Sequence, residues 1–160
     1  MLIRHCKIFL VLIMAIFFTL VVFNNTFDYH TNYVFVQHVV TMDTIFPDSN
    51  TKWRALTNES LATLFYWGII SWEALSGIVC WLAAIKLFQY RNDAIQFAKN
   101  KSIAVLGLTL GLALYAFGFI VVGAEWFQMW QSAQWNGQVG ASVFINMIGL
   151  ILLVILAKDE

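Results

Sequence analysis

The sequence is poor in proline, cysteine and charge. Its 160 residues include one Pro, nine Gly and two Cys, and charged residues make up 11% of the chain. So little Pro and Gly excludes a Pro/Gly-rich disordered chain. Cys6 and Cys80 form no C-x-x-C pair, which argues against thiol–disulfide relay chemistry. Lys and Arg total nine and so do Asp and Glu, so the chain carries no basic footprint for nucleic acid.

Apolar residues are abundant instead, at 61% of the chain. A soluble domain of this size could not bury so much apolar surface, so the excess indicates a lipid bilayer as the solvent. Four near-continuous apolar segments are long enough to cross it, at about 8–23, 61–88, 102–124 and 139–157. Continuous runs favour helices over alternating barrel strands. We therefore predict a single all-α domain over 1–160, a four-transmembrane-helix bundle.

The distribution of Lys and Arg predicts the orientation of the bundle. Seven basic residues fall on one side: Arg4, Lys7, Lys86, Arg91, Lys99, Lys101 and Lys158. Only Lys52 and Arg54 fall on the other. We expect both termini and the loop 89–101 to lie in the cytoplasm, with loops 24–60 and 125–138 outside. The first segment has a basic start but no small-x-small cleavage site, which indicates an uncleaved anchor.

The long outer loop contains local structure of its own. Residues 33–40 are apolar but too short to span, so we expect a short helix at the interface, with a strand as the alternative. Residues 46–50 are typical of a turn. Residues 57–60 offer capping side chains for the helix that follows.

Small and polar residues follow one face of each of the last three spans. The members are Tyr66, Ile70, Glu73, Ser76, Gly77 and Cys80 in the second span, Ala104, Gly107, Gly111, Tyr115, Gly118, Val122 and Glu125 in the third, and Ser142, Asn146, Gly149 and Leu153 in the fourth. We expect these stripes to face one another inside the bundle. The first span is bulkier and more uniformly apolar, so we expect it at the rim.

Glu73 is the clearest candidate for a functional residue. It lies about twelve residues into its span, roughly 18 Å deep at ~1.5 Å per residue. A carboxylate at that depth has to be protonated, paired or hydrated. We predict an intramembrane polar site of Glu73, Ser76, Tyr115 and Asn146. It serves either as a proton-carrying or ligand-binding group, or as a hydrogen-bonded contact that holds the bundle in register.

The second outer loop is the other candidate. Residues 125–138 hold three Trp and four Gln but one charge, which suits ring stacking and neutral hydrogen bonding. The predicted outer-face site comprises Glu125, Trp126, Trp130, Gln131, Trp135 and Asn136, with His38, Asp43 and Arg54 from the long loop. It is a docking surface, a shallow ligand site or a belt at the lipid headgroups. We expect Glu125 to pair with Arg54 or Lys52 and pin the long loop over the bundle.

Catalytic and cofactor patterns are not found. His30 and His38 are not placed in spans as a haem would require. Asp28, His30, His38 and Asp43 have no recognised metal-ligand spacing. The sequence holds no Ser/His/Asp set, phosphate-binding loop or paired catalytic carboxylates. We expect no cofactor, no metal and no enzymatic activity.

Several longer motifs resemble a known family. They are residues 35–39 with Met42-Asp43-Thr44, Phe46-Pro47-Asp48, residues 53–57, Glu73-Ala74-Leu75, and Glu125-Trp126-Phe127-x-Met129-Trp130-Gln131-Ser132-x-x-Trp135-Asn136-Gly137-Gln138. This set is similar to a bacterial family of predicted small integral membrane proteins of unknown function, over nearly the whole chain. The resemblance implies a four-span protein of the bacterial inner membrane. It implies no activity, cofactor or catalytic residue.

Three functions remain open at this point. The first is an accessory or interaction subunit that uses the Trp/Gln-rich outer face, with a membrane-protein partner or a second copy of the chain. The second is a small transporter or channel that uses Glu73, which would need an oligomer because the chain has no inverted repeat. The third is an enzyme or lipid-binding protein at the membrane interface.

Overall fold

The computed structural model describes residues 1–158, and no strand occurs among them. Five α-helices follow one another: α1 (Leu2–Phe27), α2 (Tyr29–Thr41), α3 (Glu59–Gln89), α4 (Ala94–Ala113) and α5 (Gln138–Leu156). A π-helical segment, Leu114–Trp126, continues α4 without a break, and short 3₁₀ turns form at Lys52–Arg54 and Met129–Gln131. The predicted all-α fold class is confirmed.

Four helices are long and apolar enough to cross a membrane. They are α1, α3, α4 together with the π-helical segment, and α5, with 26, 31, 33 and 19 residues. Each contains one of the four apolar segments of the sequence, and a ~30 Å hydrocarbon core needs roughly 20 helical residues. The architecture is a helical membrane bundle with the short helix α2 beside it.

The first helix is a central element of the bundle, and the expected rim position is wrong. Val11, Met14, Ala15 and Phe18 are all 0% exposed. Phe18 lies against Gly77 of α3 and Gly111 of α4, where side chains are absent. The sequence of α1 did not indicate which of its faces is buried, because its lipid-facing and helix-facing residues are equally apolar.

The small-residue stripes of α3 and α4 do face the interior. The predicted α3 stripe is buried, from Tyr66 through Glu73 to Cys80. A Cβ on Gly107 of α4 would lie 2.9 Å from the Cys80 Sγ, so the two backbones approach closely there. The α4 stripe ends in the π-helical segment, where Glu125 is exposed. A π-helix has a different turn from an α-helix, so the 3–4 residue spacing no longer follows one face.

The predicted stripe of α5 points away from the bundle. Ser142 and Asn146 are exposed, and Leu153 is 65% exposed. The buried face of α5 consists of Ala141, Ile148, Ile151 and Ile155 instead. Three small or polar residues at helical spacing arise readily by chance, and here the isoleucines are the side chains that pack inward.

The long outer loop folds back over the bundle, and its predicted local structure is confirmed. Residues 33–40 are helical rather than extended and lie within α2. The turn is closed by the Ser49 amide, which donates to the Phe46 carbonyl at 3.1 Å. Asn58 caps α3, accepting from the Ser60 amide through its side chain. The Leu56 amide donates to the Val40 carbonyl at 2.8 Å, which ties the end of the loop to α2.

Candidate functional site

The buried carboxylate of Glu73 is held by an amide from another helix. Glu73 is 3% exposed, and its Oε2 accepts a hydrogen bond from the Asn25 Nδ2 at 2.7 Å. Asn25 is also buried and lies near the end of α1. Asn25 is not among the site residues predicted from the sequence. The available signal was a pair of amides, Asn24-Asn25, inside a helix that continues to Phe27.

Asn25 is the centre of a small polar network. Its Oδ1 accepts from the exposed Asn32 of α2 at 2.8 Å, and its carbonyl accepts from the Tyr66 hydroxyl at 3.1 Å. The hydrogen-bonded series Asn32–Asn25–Glu73 therefore runs from an exposed residue of α2 to the middle of α3. Buried polar groups in lipid need such partners, since unsatisfied ones are costly.

The residues predicted to surround Glu73 are only partly brought together. Tyr115 lines the same cavity as Glu73. Ser76 is buried one turn away, but its hydroxyl donates to the Trp72 carbonyl at 2.9 Å. Asn146 is exposed on the far face of α5. The expected partners of the carboxylate, Asn146, Tyr115 or Ser76, are thus replaced by Asn25.

A cavity of about 370 Å³ opens beside this network. Its wall includes Glu73 and Tyr66 of α3, Tyr115 and Phe119 of the π-helical segment, Phe35 of α2, and Phe144 of α5. Three further lining residues, Asn24, Asn32 and Gly140, are exposed, so the cavity opens to the protein surface between α1, α2 and α5. The walls are mostly apolar, and the polar groups converge at Asn25 and Glu73.

Phe18 lies near the cavity but is not among its lining residues. Its ring lies one helical turn below Val21, which still lines the cavity. The neighbouring glycines, Gly77 and Gly111, likewise lie one turn beyond Glu73 and before Tyr115. Phe18 is fully buried and fills the space that these glycines leave. On these helices the lining of the cavity thus ends at Val21, Glu73 and Tyr115.

The outer-face residues hold the loops together. The His38 Nδ1 lies 2.7 Å from the Asp43 Oδ2, and the His38 ring stacks on Trp135 with 4.4 Å between centroids. The Phe46 amide donates to the Gln131 side chain at 3.1 Å. These contacts fasten the end of α2 and the following turn to the second outer loop.

Arg54 lies on Trp126 rather than beside an acid. Its guanidinium carbon is 4.7 Å from the Trp126 ring centroid, and its Nη1 donates to the Trp126 carbonyl at 3.3 Å. That carbonyl ends the π-helical segment, where backbone acceptors lack helical partners. Glu125 is exposed and forms no ion pair with Arg54 or Lys52 within residues 1–158. The expected acidic pairing is wrong, although Arg54 still pins the loop.

The remaining outer-face residues lie apart from these contacts. Trp130 is 44% exposed and packs edge-on against Phe46. The Asn136 Oδ1 accepts from the Gln138 amide, where α5 begins. No group of three or more His, Cys, Asp or Glu side chains suited to a metal is found in the described part of the chain. Most of the predicted outer-face residues thus take part in three contacts: the His38 clasp (His38, Asp43 and Trp135), Arg54 on Trp126, and the Phe46–Trp130 edge, beside which Gln131 binds the Phe46 amide. Glu125 and Asn136 belong to none of them.

Comparison with known proteins agrees with the four apolar helices. The model of a family described as "Predicted small integral membrane protein (DUF2165)" matches residues 3–158. No curated protein and no solved structure matches the chain. The match covers nearly all of the sequence, including the motifs around Glu73 and in the second outer loop. The chain therefore belongs to this family of predicted small integral membrane proteins, whose function is unknown.

Proposed function

We propose that this membrane protein binds a small amphipathic molecule in the cavity beside Glu73. The observation that carries the proposal is a carboxylate, 3% exposed, on the wall of a cavity of about 370 Å³ that opens to the protein surface. The Oε2 of Glu73 accepts from Asn25, whereas its Oε1 forms no hydrogen bond within residues 1–158. A ligand donor would satisfy that oxygen.

The chemistry of the walls supports an apolar body with a cationic amine head. Phe35, Phe119 and Phe144 supply apolar and aromatic surface, and Glu73 supplies an acceptor that pairing with a cationic amine would hold in its ionised form. Ligand pockets typically enclose about 300–1,000 Å³, so this cavity suits a small molecule or a short chain. Asn25 orients the carboxylate, which reduces the cost of ordering it on binding.

The packing beyond Glu73 favours binding over passage through one chain. Phe18 is fully buried against Gly77 and Gly111, one helical turn beyond the lining residues of the cavity. A transporter or channel would need a second arrangement of these helices or a pathway between copies. We therefore place the Glu73 site in the class of ligand-binding membrane proteins.

The test compares two ligands of equal length by native mass spectrometry of the purified protein. Octylamine and octanoate share an apolar chain and differ in the charge of the head. We expect octylamine to bind the wild type, octanoate to bind at least tenfold more weakly, and Glu73→Gln to lose the difference. Glutamine still accepts a hydrogen bond from Asn25, so the variant keeps the network.

Asn146→Ala is the matched control, because Asn146 is a polar residue of a span that lies outside the cavity. It should bind octylamine as the wild type does. Equal binding of the two ligands, or unchanged amine selectivity in a folded Glu73→Gln variant, would contradict the proposal. Loss of binding in Asn146→Ala would also contradict it.

A second candidate function is that of an accessory subunit in a larger membrane complex. The observation that favours it is the Phe46–Trp130 edge, where two rings that are 55% and 44% exposed pack at 87° to each other. Rigid exposed aromatics are typical anchors of protein interfaces. Extraction in mild detergent should recover a stoichiometric partner, lost in Trp130→Ala and retained in Trp67→Ala, a tryptophan of similar exposure. A lone chain in several detergents would refute it.

For both functions we propose that the site faces outward from a bacterial inner membrane, with both termini in the cytoplasm. Basic residues from distant segments meet at one end of the bundle, which supports this orientation. The side chains of Lys7 and Lys101 both donate to the Ala157 carbonyl. Arg4 donates to the Arg91 carbonyl at 3.0 Å. The Glu73 cavity reaches the surface at the opposite end.

A further inference from the structure

The loop before α3 presents an arginine against a pair of indole rings. Arg54 belongs to the 3₁₀ turn Lys52–Arg54, and its guanidinium carbon lies 5.4 Å from the Trp53 ring centroid and 4.7 Å from that of Trp126. Trp53 is 73% exposed and Trp126 is 47% exposed. Tryptophan concentrates at the headgroup level of membranes, so this cluster marks the depth of the outer interface.

Part of the guanidinium has no partner. The Nη1 donates to the Trp126 carbonyl, but the Nε is inaccessible to solvent and forms no hydrogen bond within residues 1–158. The Nη2 likewise forms none in this part of the chain. Because the Nε is covered by the protein, the Nη2 is the guanidinium nitrogen left to donate to a phosphate oxygen.

The charge of Arg54 is also uncompensated. No ion pair to its guanidinium is formed by any described residue. Glu125, next to Trp126 in the chain, is exposed and does not reach it. Lys52, two residues earlier, is exposed and adds a second positive charge to the same turn. An external anion would therefore meet a guanidinium without an ion-pair partner.

An apolar cavity of about 550 Å³ adjoins the guanidinium. Besides Trp53, Arg54 and Trp126, its lining residues are Ala55, Leu56, Phe65, Val122 and Phe127. Phe65 and Val122 belong to membrane-spanning helices, so the cavity runs from the interface toward the hydrocarbon region. A ligand here would place an anionic group on Arg54 and an apolar chain along Phe65.

From this arrangement we propose that Arg54, Trp53 and Trp126 form a site for the phosphate of an anionic lipid in the outer leaflet. The site is separate from the Glu73 cavity and does not depend on the function proposed there. Inorganic phosphate shares the headgroup chemistry, but only a lipid would also occupy the apolar cavity. Donation from the Nη2 to a phosphate oxygen would add a charge-assisted hydrogen bond.

The test titrates purified protein with dioleoyl phosphatidylglycerol, dioleoyl phosphatidylcholine or inorganic phosphate, and counts bound molecules by native mass spectrometry. We expect phosphatidylglycerol to bind the wild type more tightly than phosphatidylcholine. Arg54→Gln should weaken phosphatidylglycerol about tenfold, as expected for loss of a charge-assisted hydrogen bond. Lys52→Gln removes the same charge from the same turn and should change the affinity less than twofold.

Arg54→Lys separates charge from geometry. It keeps the positive charge but not the fork, so it should bind phosphatidylglycerol several-fold more weakly than the wild type. If Arg54→Gln fails to fold, the affinity of Arg54→Lys for phosphatidylglycerol still tests whether Arg54 binds the lipid phosphate. Equal loss in Lys52→Gln, or unchanged affinity in Arg54→Lys or a folded Arg54→Gln, would overturn the proposal. Inorganic phosphate that binds as tightly as the lipid would overturn the assignment to a lipid.

Discussion

Replacing Gly111 by Ala tests whether Phe18 is a rigid wedge at the centre of the bundle. A Cβ at Gly111 would lie 2.3 Å from the Phe18 Cζ and 2.9 Å from its Cε2. The ring cannot move outward easily, because Phe18 is 0% exposed and its own Cβ is within 3.1 Å of a Cβ placed on Gly77. The added methyl group therefore requires a shift of α1 or α4.

Two effects of opposite sign determine the outcome. Alanine is favoured over glycine inside a helix by about 1 kcal/mol. Overpacking of a close-packed core costs about 1–3 kcal/mol. We expect the clash to be the larger effect and Gly111→Ala to lower the free energy of unfolding by about 1 kcal/mol. Gly149 of α5 meets nothing within 4 Å, so Gly149→Ala should be neutral or stabilising.

The assay is reversible unfolding in mixed micelles with increasing sodium dodecyl sulfate, followed by circular dichroism. The double variant Gly111→Ala/Phe18→Leu should recover part of the lost stability, because leucine is smaller and more flexible than phenylalanine. The reasoning is refuted if Gly111→Ala is as stable as Gly149→Ala. A double variant less stable than the sum of the two single changes would likewise count against a steric cause.

Three further predictions concern the network, the orientation and the clasp. Asn25→Leu should destabilise the fold by about 1–3 kcal/mol, because it leaves the buried Glu73 carboxylate without its donor. Asn32→Leu should destabilise the fold less, because Asn32 is exposed. Unfolding in mixed micelles measures the stability of both variants. A membrane-impermeant maleimide added outside should label Asn50→Cys and not Cys6. Labelling of Cys6 would indicate the opposite orientation of the bundle. His38→Ala should speed hydrogen exchange across α2, and unchanged exchange would show that the stack on Trp135 is dispensable.

The membrane architecture was readable from the sequence because it depends on local composition. Each long helix contains a continuous apolar segment, and such a segment crosses lipid as a helix because a helix satisfies its own backbone hydrogen bonds. The cap at Asn58 and the turn at Phe46 were predictable for a similar reason, since each is formed by residues within a few positions of one another.

The faces of α1 and α5 were not predictable in this way. In water an apolar stripe points to the core, but in lipid both faces of a helix are apolar. Phe18 became central because two glycines on other helices leave room for its ring. The small and polar residues of α5, including Asn146, lie on the exposed face, and its branched residues pack inward.

The sequence by itself determined the number of helices, their apolar character and the presence of an acid, Glu73, far inside one of them. Depth follows from counting residues along a helix, so it needs no knowledge of neighbours. Only the tertiary structure decided that Asn25, 48 positions away, donates to that acid, and that a cavity opens beside the pair. Partners of a buried polar group depend on how helices rotate about their axes, and in a bilayer that rotation is set by contacts between helices.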